Sequence, residues 1–577
     1  MADIAELPTP PPSATDFPDD VVEKLSLDDS HSVFDGVALG SSRKHRYERK
    51  MGDTELSYFL PSRQSGVNDM YLHLGFKAPE RVARRSRVST VWAILRLRHP
   101  LLCARAEMRD YDDVRFIYDA PSSARDAYCD ADANLEYRTQ TKDEMIDAYL
   151  NGPRTLSNSR LSYLILSEPP SSPVLMPTPP RTPSPTSVSL DASSRSEDEA
   201  EVEVEVEHKH EYELLICAMH FLGDGMALHQ FANDFFGLLG GASSDDELRE
   251  VLEEEWQSRW RLAPEECILP AALEDNMPLP SQRFRRVAAH VDFQLSQQRL
   301  VGGQLFPRRK HPERHTIVPT VSFPEERTKA ILKKCKAHGV SISAALFAVC
   351  NIAWARMGGG NKAAPTLMYS ALNLRPYFTA RRAAPWDSYW YLAIGYFNVV
   401  LPSFVPPGPA AEAAFWLRAR HAKEQSTRAA KSPLVASRTH EMARERGERA
   451  RAWAREDDER ERGTWISPAP AAAASSESGS QREPVLPARA KVSSSALIGL
   501  SLLGNLDGIY KHAAFPDAEL HTLTTGSRQR QGAMLLFGYT FKGRLWISLG
   551  YDCNGFEGDV VDRFWKEALD CVDEFLG

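Results

Sequence analysis

The hexapeptide HFLGDG, His220 to Gly225, sets a histidine four residues ahead of an aspartate and a glycine, and HSVFDG, His31 to Gly36, repeats the spacing. Histidine is the side chain whose ordinary pKa lies near neutrality, so at the mouth of a cleft it can take the proton of a substrate hydroxyl as a general base. Asp224, four residues on, is expected to turn away from such a cleft and order the loop rather than relay a proton. The same residues also fit a plainer account, with His220 a hydrogen-bonded core histidine, Asp224 a helix cap and Gly225 turn chemistry. A pattern that occurs twice in one chain needs its surroundings to arbitrate.

Those surroundings differ. Ahead of His220, EYELLICAM reads as a strand; GDG turns the chain; MALHQFANDFFGLL then repeats apolar residues at Leu228, Phe231, Ala232, Phe235 and Leu239, the spacing of a helix with one buried face. This frame would hold the imidazole on rigid elements. His31 follows acidic SLDDS and precedes VALGSSRKHRYERK, with neither strand nor periodic helix, and is read as a chance match.

The length of 577 residues exceeds what one compact core normally holds, so two domains with insertions are expected. Hydrophobic content of 42% against 25% charged residues lets most of the chain bury a core. A net charge of -9 and a pI near 6.0 supply no basic field for nucleic acid, which is set aside as a partner. The opening MADIAELPTPPPSATDFPDD has neither the basic start nor the apolar run of a secretory signal, and a cytoplasmic location is expected. The most apolar stretch, YWYLAIGYFNVVLPSFVP, is broken by Gly395, Asn398 and Pro402; it reads as buried strand, and no membrane span is expected. Eight cysteines without a C-x-x-C pair point to free thiols and no metal site. His208-Lys209-His210 follows an acidic, solvated run and is a weak metal signal.

Three stretches are too poor in apolar residues to offset the entropy of ordering. They are an N-terminal tail, 1–44, an insertion rich in Pro, Ser and Glu, 167–210, and a linker at about 467–489. The insertion separates RLSYLILS from EYELLICAM, so a long loop on a β-hairpin is expected. The two halves are drawn at 45–290 and 291–577. Within them VARRSRVSTVWAILRLRHP has helical spacing, and LLCARAEM and VRFIYDA read as strands. A helix from about Pro324 to Ala337, a stop at Gly339 and an apolar helix from near Ser341 follow. TLMYSALNLRPYF, YWYLAIGYFNVVLP, GAMLLFGYTF and RLWISLGYD read as strands, and VVDRFWKEALDCVDEFL as a closing amphipathic helix. Arg418 to Arg462 is read as exposed helix whose charges form a solvated face rather than a binding surface. The class is α/β or α+β.

Taken in order, HFLGDG, GGQLFP at Gly302, KKCKAHGVSISAALFAV, ALNLRPYF, GYFNVVLP, SLLGN at Ser501 and LGYDCNGF resemble blocks of the coenzyme A-dependent acyltransferases. These share HxxxDG with plant acyltransferases and peptide-synthetase condensation domains, and the chain is most similar to the fungal trichothecene 15-O-acetyltransferase type. The resemblance, from about Glu48 onward, implies two chloramphenicol-acetyltransferase-like halves, each a mixed β-sheet flanked by helices, with a channel between them and the histidine midway. It makes His220 the catalytic base and Asp224, beside Gly225, a structural carboxylate paired with an arginine of the second half, for which Arg375 in NLRPYF is the candidate. Asn373, Tyr396, Asn398, Gly504 and Asn505 would border the substrate channel. SLLGN stands where the plant enzymes have DFGWG and lacks that aspartate and tryptophan.

Met219 stands where condensation domains carry a first histidine, and no carrier or adenylation segment is recognisable. Both points favour free acyl-CoA, acetyl-CoA by analogy, as co-substrate, with no bound cofactor. The implied acceptor is a small-molecule alcohol such as a terpenoid, with a glycolipid hydroxyl second, and a monomer is expected. No serine or cysteine sits in a G-x-S-x-G nucleophile motif, in keeping with direct transfer. Two further classes stay open: a condensation-type enzyme using carrier-bound acyl groups, and a non-catalytic binding protein of the same fold, against which intact His220, Asp224 and Gly225 weigh.

Overall fold

The structure, a computed structural model, describes residues 45–169, 207–261, 268–358, 363–378, 385–466 and 494–577. His31, the tail, nearly all of the insertion and the 467–489 linker lie outside the described residues.

The apolar runs flanking the insertion form the expected hairpin. Ser162–Ser167 pairs antiparallel with Lys209–Ala218, Ser162 opposite Ala218 and Ser167 opposite Glu213. Both strands belong to a five-stranded sheet ordered Glu519–Ser527, Met70–Pro79, Lys209–Ala218, Ser162–Ser167, Leu135–Arg138, in which only the last pair is parallel. SYLILS is buried at every position because both faces of the sheet are covered, which is why its sequence runs apolar instead of alternating. Glu519–Ser527 comes from near the end of the chain and closes the edge of a sheet otherwise built from the first 218 residues.

A seven-stranded sheet runs Ile394–Leu401, Thr366–Asn373, Ile498–Asn505, Met534–Phe541, Arg544–Asp552, Thr316–Ile317, with Thr320–Phe323 also paired to Arg544–Asp552. Its strands around Ile498–Asn505 are parallel and the others antiparallel. Helix Ile342–Arg356, started by Ser341 Oγ accepting from the Ala344 amide at 3.2 Å, is buried from Ala344 to Trp354 and anchors this sheet's core. The preceding helix, Glu325–Ala337, stops at Gly339, whose φ of +68° suits glycine alone. Two large apolar cores result, one around each large sheet, with a small third cluster of Leu273, Met277, Leu374 and Val435. The mixed α/β, two-lobed architecture is the one expected.

Two local expectations are corrected. LLCARAEM is half turn: Pro100–Cys103 forms a 3-10 turn, since proline fixes φ and has no amide to give a ladder, and the strand is only Arg105–Met108. Arg418 to Arg462 is two helices, Ala410–Ala430 and Val435–Glu461, broken at Pro433. The second is not simply solvated. Its small residues Ala443, Gly447, Ala450 and Ala454 are buried, and it packs on helix Asp53–Ser62, with Arg451 paired to Asp53 at 2.7 Å and Arg63 to Asp458 at 3.0 Å.

Among the described residues no single helix is long and apolar enough to cross a membrane, and no cluster of three or more His, Cys, Asp or Glu could hold a metal ion. The His208 and His210 rings lie 5.0 Å apart, and His210 faces Glu168 at 3.6 Å.

Candidate active site

Strand Lys209–Ala218 delivers His220 into a 3-10 turn, His220–Leu222, and helix Gly225–Leu239 follows directly. The residues expected on its buried face, Leu228, Phe231, Ala232, Phe235 and Leu239, are all buried. The imidazole stacks on the Tyr58 ring, with centroids 4.4 Å apart and planes at 25°. The Tyr58 hydroxyl in turn meets that of Tyr396, and the Arg446 guanidinium lies over both phenol rings, 5.4 and 4.4 Å from their centroids. Burial pushes the imidazole below the ordinary histidine range; the local backbone and the Asp224 carboxylate oppose this, and the Arg446 charge adds to it. The shift favours the neutral imidazole, the form that can accept a proton. Burial likewise holds the Tyr58 hydroxyl well above the ordinary phenol range, so it stays protonated.

Asp224 points away from this cavity. Its Oδ1 caps the helix by accepting from the Ala227 amide at 3.1 Å, its Oδ2 accepts from the Ala393 amide at 2.8 Å, and Arg375 Nη1 donates to both oxygens at 2.9 Å. Arg375 Nη2 donates to the carbonyls of Tyr389 (3.2 Å) and Tyr391 (2.8 Å). The Asp224 side chain is 2% exposed and that of Arg375 16%, so water screens the pair little. The cap and the ion pair are one structure, fixing the turn that carries His220 to the segment Tyr389–Ala393. Gly225 opens the helix where a Cβ would come within 3.1 Å of Leu503.

His220 opens onto a cavity of about 180 Å³. Its wall includes Tyr58, Tyr369, Tyr396, Gln529, Trp453 and the arginines 446, 449 and 530. Of the residues expected to border a channel, only Tyr396 lines it. Asn373 and Asn505 are spent on local turns, their Oδ1 atoms accepting from the amides of Arg375 and Asp507, two residues on, each at 3.1 Å. Gly504 follows a register shift in its strand with φ +76°, and Asn398 sits opposite Tyr369 on the neighbouring strand; neither lines the cavity. Tyr58, Trp453 and the arginines were not foreseen. The signal available for the helix residues was the small-residue stripe Ala443, Gly447, Ala450, Ala454, spaced as one packed helix face within a charged run.

No family model and no curated protein matches this chain by sequence. Solved structures match it in fold. The TRI3 trichothecene 15-O-acetyltransferase from Fusarium sporotrichioides superposes with a TM-score of 0.65 at 11% identity, over 93% of this chain and 97% of that one. The epimerization domain from the third module of tyrocidine synthetase B gives 0.51 at 12%, over 93% and 100%. The condensation domain of the Monacolin K polyketide synthase gives 0.50 at 9%, over 92% and 97%. At such identities the likeness establishes the two-lobed fold, and the chemistry has to be argued from the residues.

Proposed function

We propose that the protein is an acyltransferase that moves a short acyl group, acetyl in the simplest case, from acyl-CoA to a hydroxyl of a small secondary metabolite such as a terpenoid. The observation that carries this reading is His220 opening onto a cavity, on a turn braced by the Asp224–Arg375 pair. His220 takes the proton of the acceptor hydroxyl while its oxygen bonds to the thioester carbonyl carbon. The tetrahedral oxyanion collapses, the carbon–sulfur bond breaks, and the imidazolium returns the proton to the leaving thiolate. No covalent enzyme intermediate and no bound cofactor are needed, and the chain acts as a monomer.

The fold's occurrence in an acetyltransferase and in a condensation domain supports transfer chemistry in general, although an epimerization domain shares it. Met219, in place of a first histidine, favours free acyl-CoA over a carrier-bound donor. The test is to incubate the purified chain with a panel of alcohols and either acetyl-CoA or an acetylated carrier protein, following free thiol and ester. Ester and thiol from acetyl-CoA support the proposal. Transfer from the carrier alone makes it a condensation-type enzyme, and transfer from neither makes it a binding protein.

A further inference from the structure

The cavity beside His220 is cationic. Helix Val435–Glu461 turns Arg446, Arg449, Ala450 and Trp453 toward it, the i, i+3, i+4, i+7 spacing of one face, and Arg530 enters from the segment after strand Glu519–Ser527. Among the described residues no aspartate or glutamate lines it. Arg446 has neutral company: Ser57 Oγ at 3.4 Å and the rings of Tyr58 and Tyr396. Arg530 lies over Trp453, 5.1 Å from the ring centroid. Neither forms an ion pair among the described residues.

The same helix pairs its other arginines freely: Arg444 with Glu441 and Glu448, Arg451 with Asp53, Arg455 with Asp112, Arg460 with Glu456. Carboxylates are thus plentiful around it, yet among the described residues none lines the cavity; Asp457 and Glu445 act on Arg530 and Arg449 from behind the wall. Burying like charges together is unfavourable: burial, with the charges of Arg446 and Arg449, pulls Arg530 below the ordinary guanidinium range, while Tyr369 and the Asp457 carboxylate oppose the shift without reversing it. A bound anion would offset that cost. Guanidinium forks flanked by phenol and indole faces suit a planar or tetrahedral oxyanion.

We propose that the substrate group seated beside His220 carries a carboxylate or phosphate, held by Arg446 and Arg530. This rests on the acyl-transfer reading of the site. The pantetheine arm keeps the phosphates of CoA many bonds from the thioester, so the oxyanion belongs either to the far end of the acyl chain, as in a dicarboxylic monothioester, or to the acceptor, as in a hydroxy acid.

Two arms separate these sources in the full-length protein. In the first, malonyl-CoA and succinyl-CoA are compared with acetyl-CoA; in the second, hydroxy acids are compared with their methyl esters, using acetyl-CoA as donor. One arm should show at least a tenfold preference in kcat/KM for the charged substrate. That ratio should collapse in Arg446→Gln and Arg530→Gln and survive in Arg444→Gln, whose side chain lies outside the cavity. Titration with malonate and inorganic phosphate reads binding without turnover, and should weaken at least tenfold in the two cavity variants. Melting curves check that both variants fold, and Arg446→Lys should keep part of the binding. Equal use of charged and neutral substrates in both arms, or undiminished anion binding in both cavity variants, overturns the inference and leaves acyl transfer standing. If no thioester is turned over, the acyl-transfer reading fails while the titration still decides whether the cavity holds an oxyanion.

Discussion

The pairing of Asp224 with Arg375 predicts a specific double-mutant cycle. Asp224→Asn keeps the helix cap, because asparagine caps about as well as aspartate, so the bond from the Ala227 amide survives. What it loses is the charge that Arg375 donates to at both oxygens, and one acceptor for Arg375 or the Ala393 amide. Breaking one side of a buried pair costs about 3 to 5 kcal/mol, because the other charge stays buried. Arg375→Ala should cost a similar amount: it strands the carboxylate on two backbone amides and deprives the Tyr389 and Tyr391 carbonyls of their donor. Each substitution destroys the same interaction, so the double mutant should lose less than the sum by about 1 to 3 kcal/mol. Neither residue lines the cavity, so turnover should fall through displacement of the His220 turn, on the order of a hundredfold for a shift near 1 Å. Urea unfolding followed by tryptophan fluorescence gives the stabilities, and steady-state kinetics give kcat. A mild Asp224→Asn, below about 0.5 kcal/mol, or additive effects would refute the brace and leave a simple helix cap.

Three further outcomes follow from the same geometry. Because burial lowers the His220 pKa, kcat/KM should stay flat down through the ordinary histidine value of about 6.5 and fall only below it, as the imidazole gains its proton; an acid limb at or above 6.5 contradicts this. Gly499→Ala should raise KM or lower kcat, since the added Cβ would lie 2.4 Å from Tyr369 Cζ and must drive that cavity-lining ring aside; unchanged kinetics would show that the ring is not a working wall. Deleting Pro169 to Glu205 should leave activity and melting temperature nearly unchanged, because a composition rich in Pro, Ser and Glu offers little apolar surface to bury and closing a long loop on the hairpin Ser162–Ser167 to Lys209–Ala218 costs little; a large drop in either would mean that it folds onto the body.

What was legible in the sequence divides by range. The strand, turn and helix around His220 were readable because apolar periodicity switches from a strand's run to helical spacing across GDG, and Ser341 and Gly339 marked helix ends by local capping chemistry. The partnership of Asp224 and Arg375, 151 residues apart, came only through resemblance, since no local pattern encodes a contact across two lobes. Asn373 and Asn505 were read as channel residues, yet a short amide side chain is as ready to close a turn on its own backbone, and both do. The arginine-lined wall was missed because a charged helix reads as solvated until its small-residue stripe is given weight, and Tyr58 because nothing in DTELSYFLPS distinguishes a ring against an imidazole from a ring in a core.

The central claim, that His220 is the base for acyl transfer to a hydroxyl, is tested most directly by single-turnover acetyl transfer from acetyl-CoA in the wild-type chain, His220→Ala and His31→Ala. Removing a general base should slow ester formation by a factor of about a hundred to ten thousand in His220→Ala, with its melting temperature near that of the wild type, while His31→Ala transfers at the wild-type rate. Ester formation at a near-normal rate by folded His220→Ala would contradict the account.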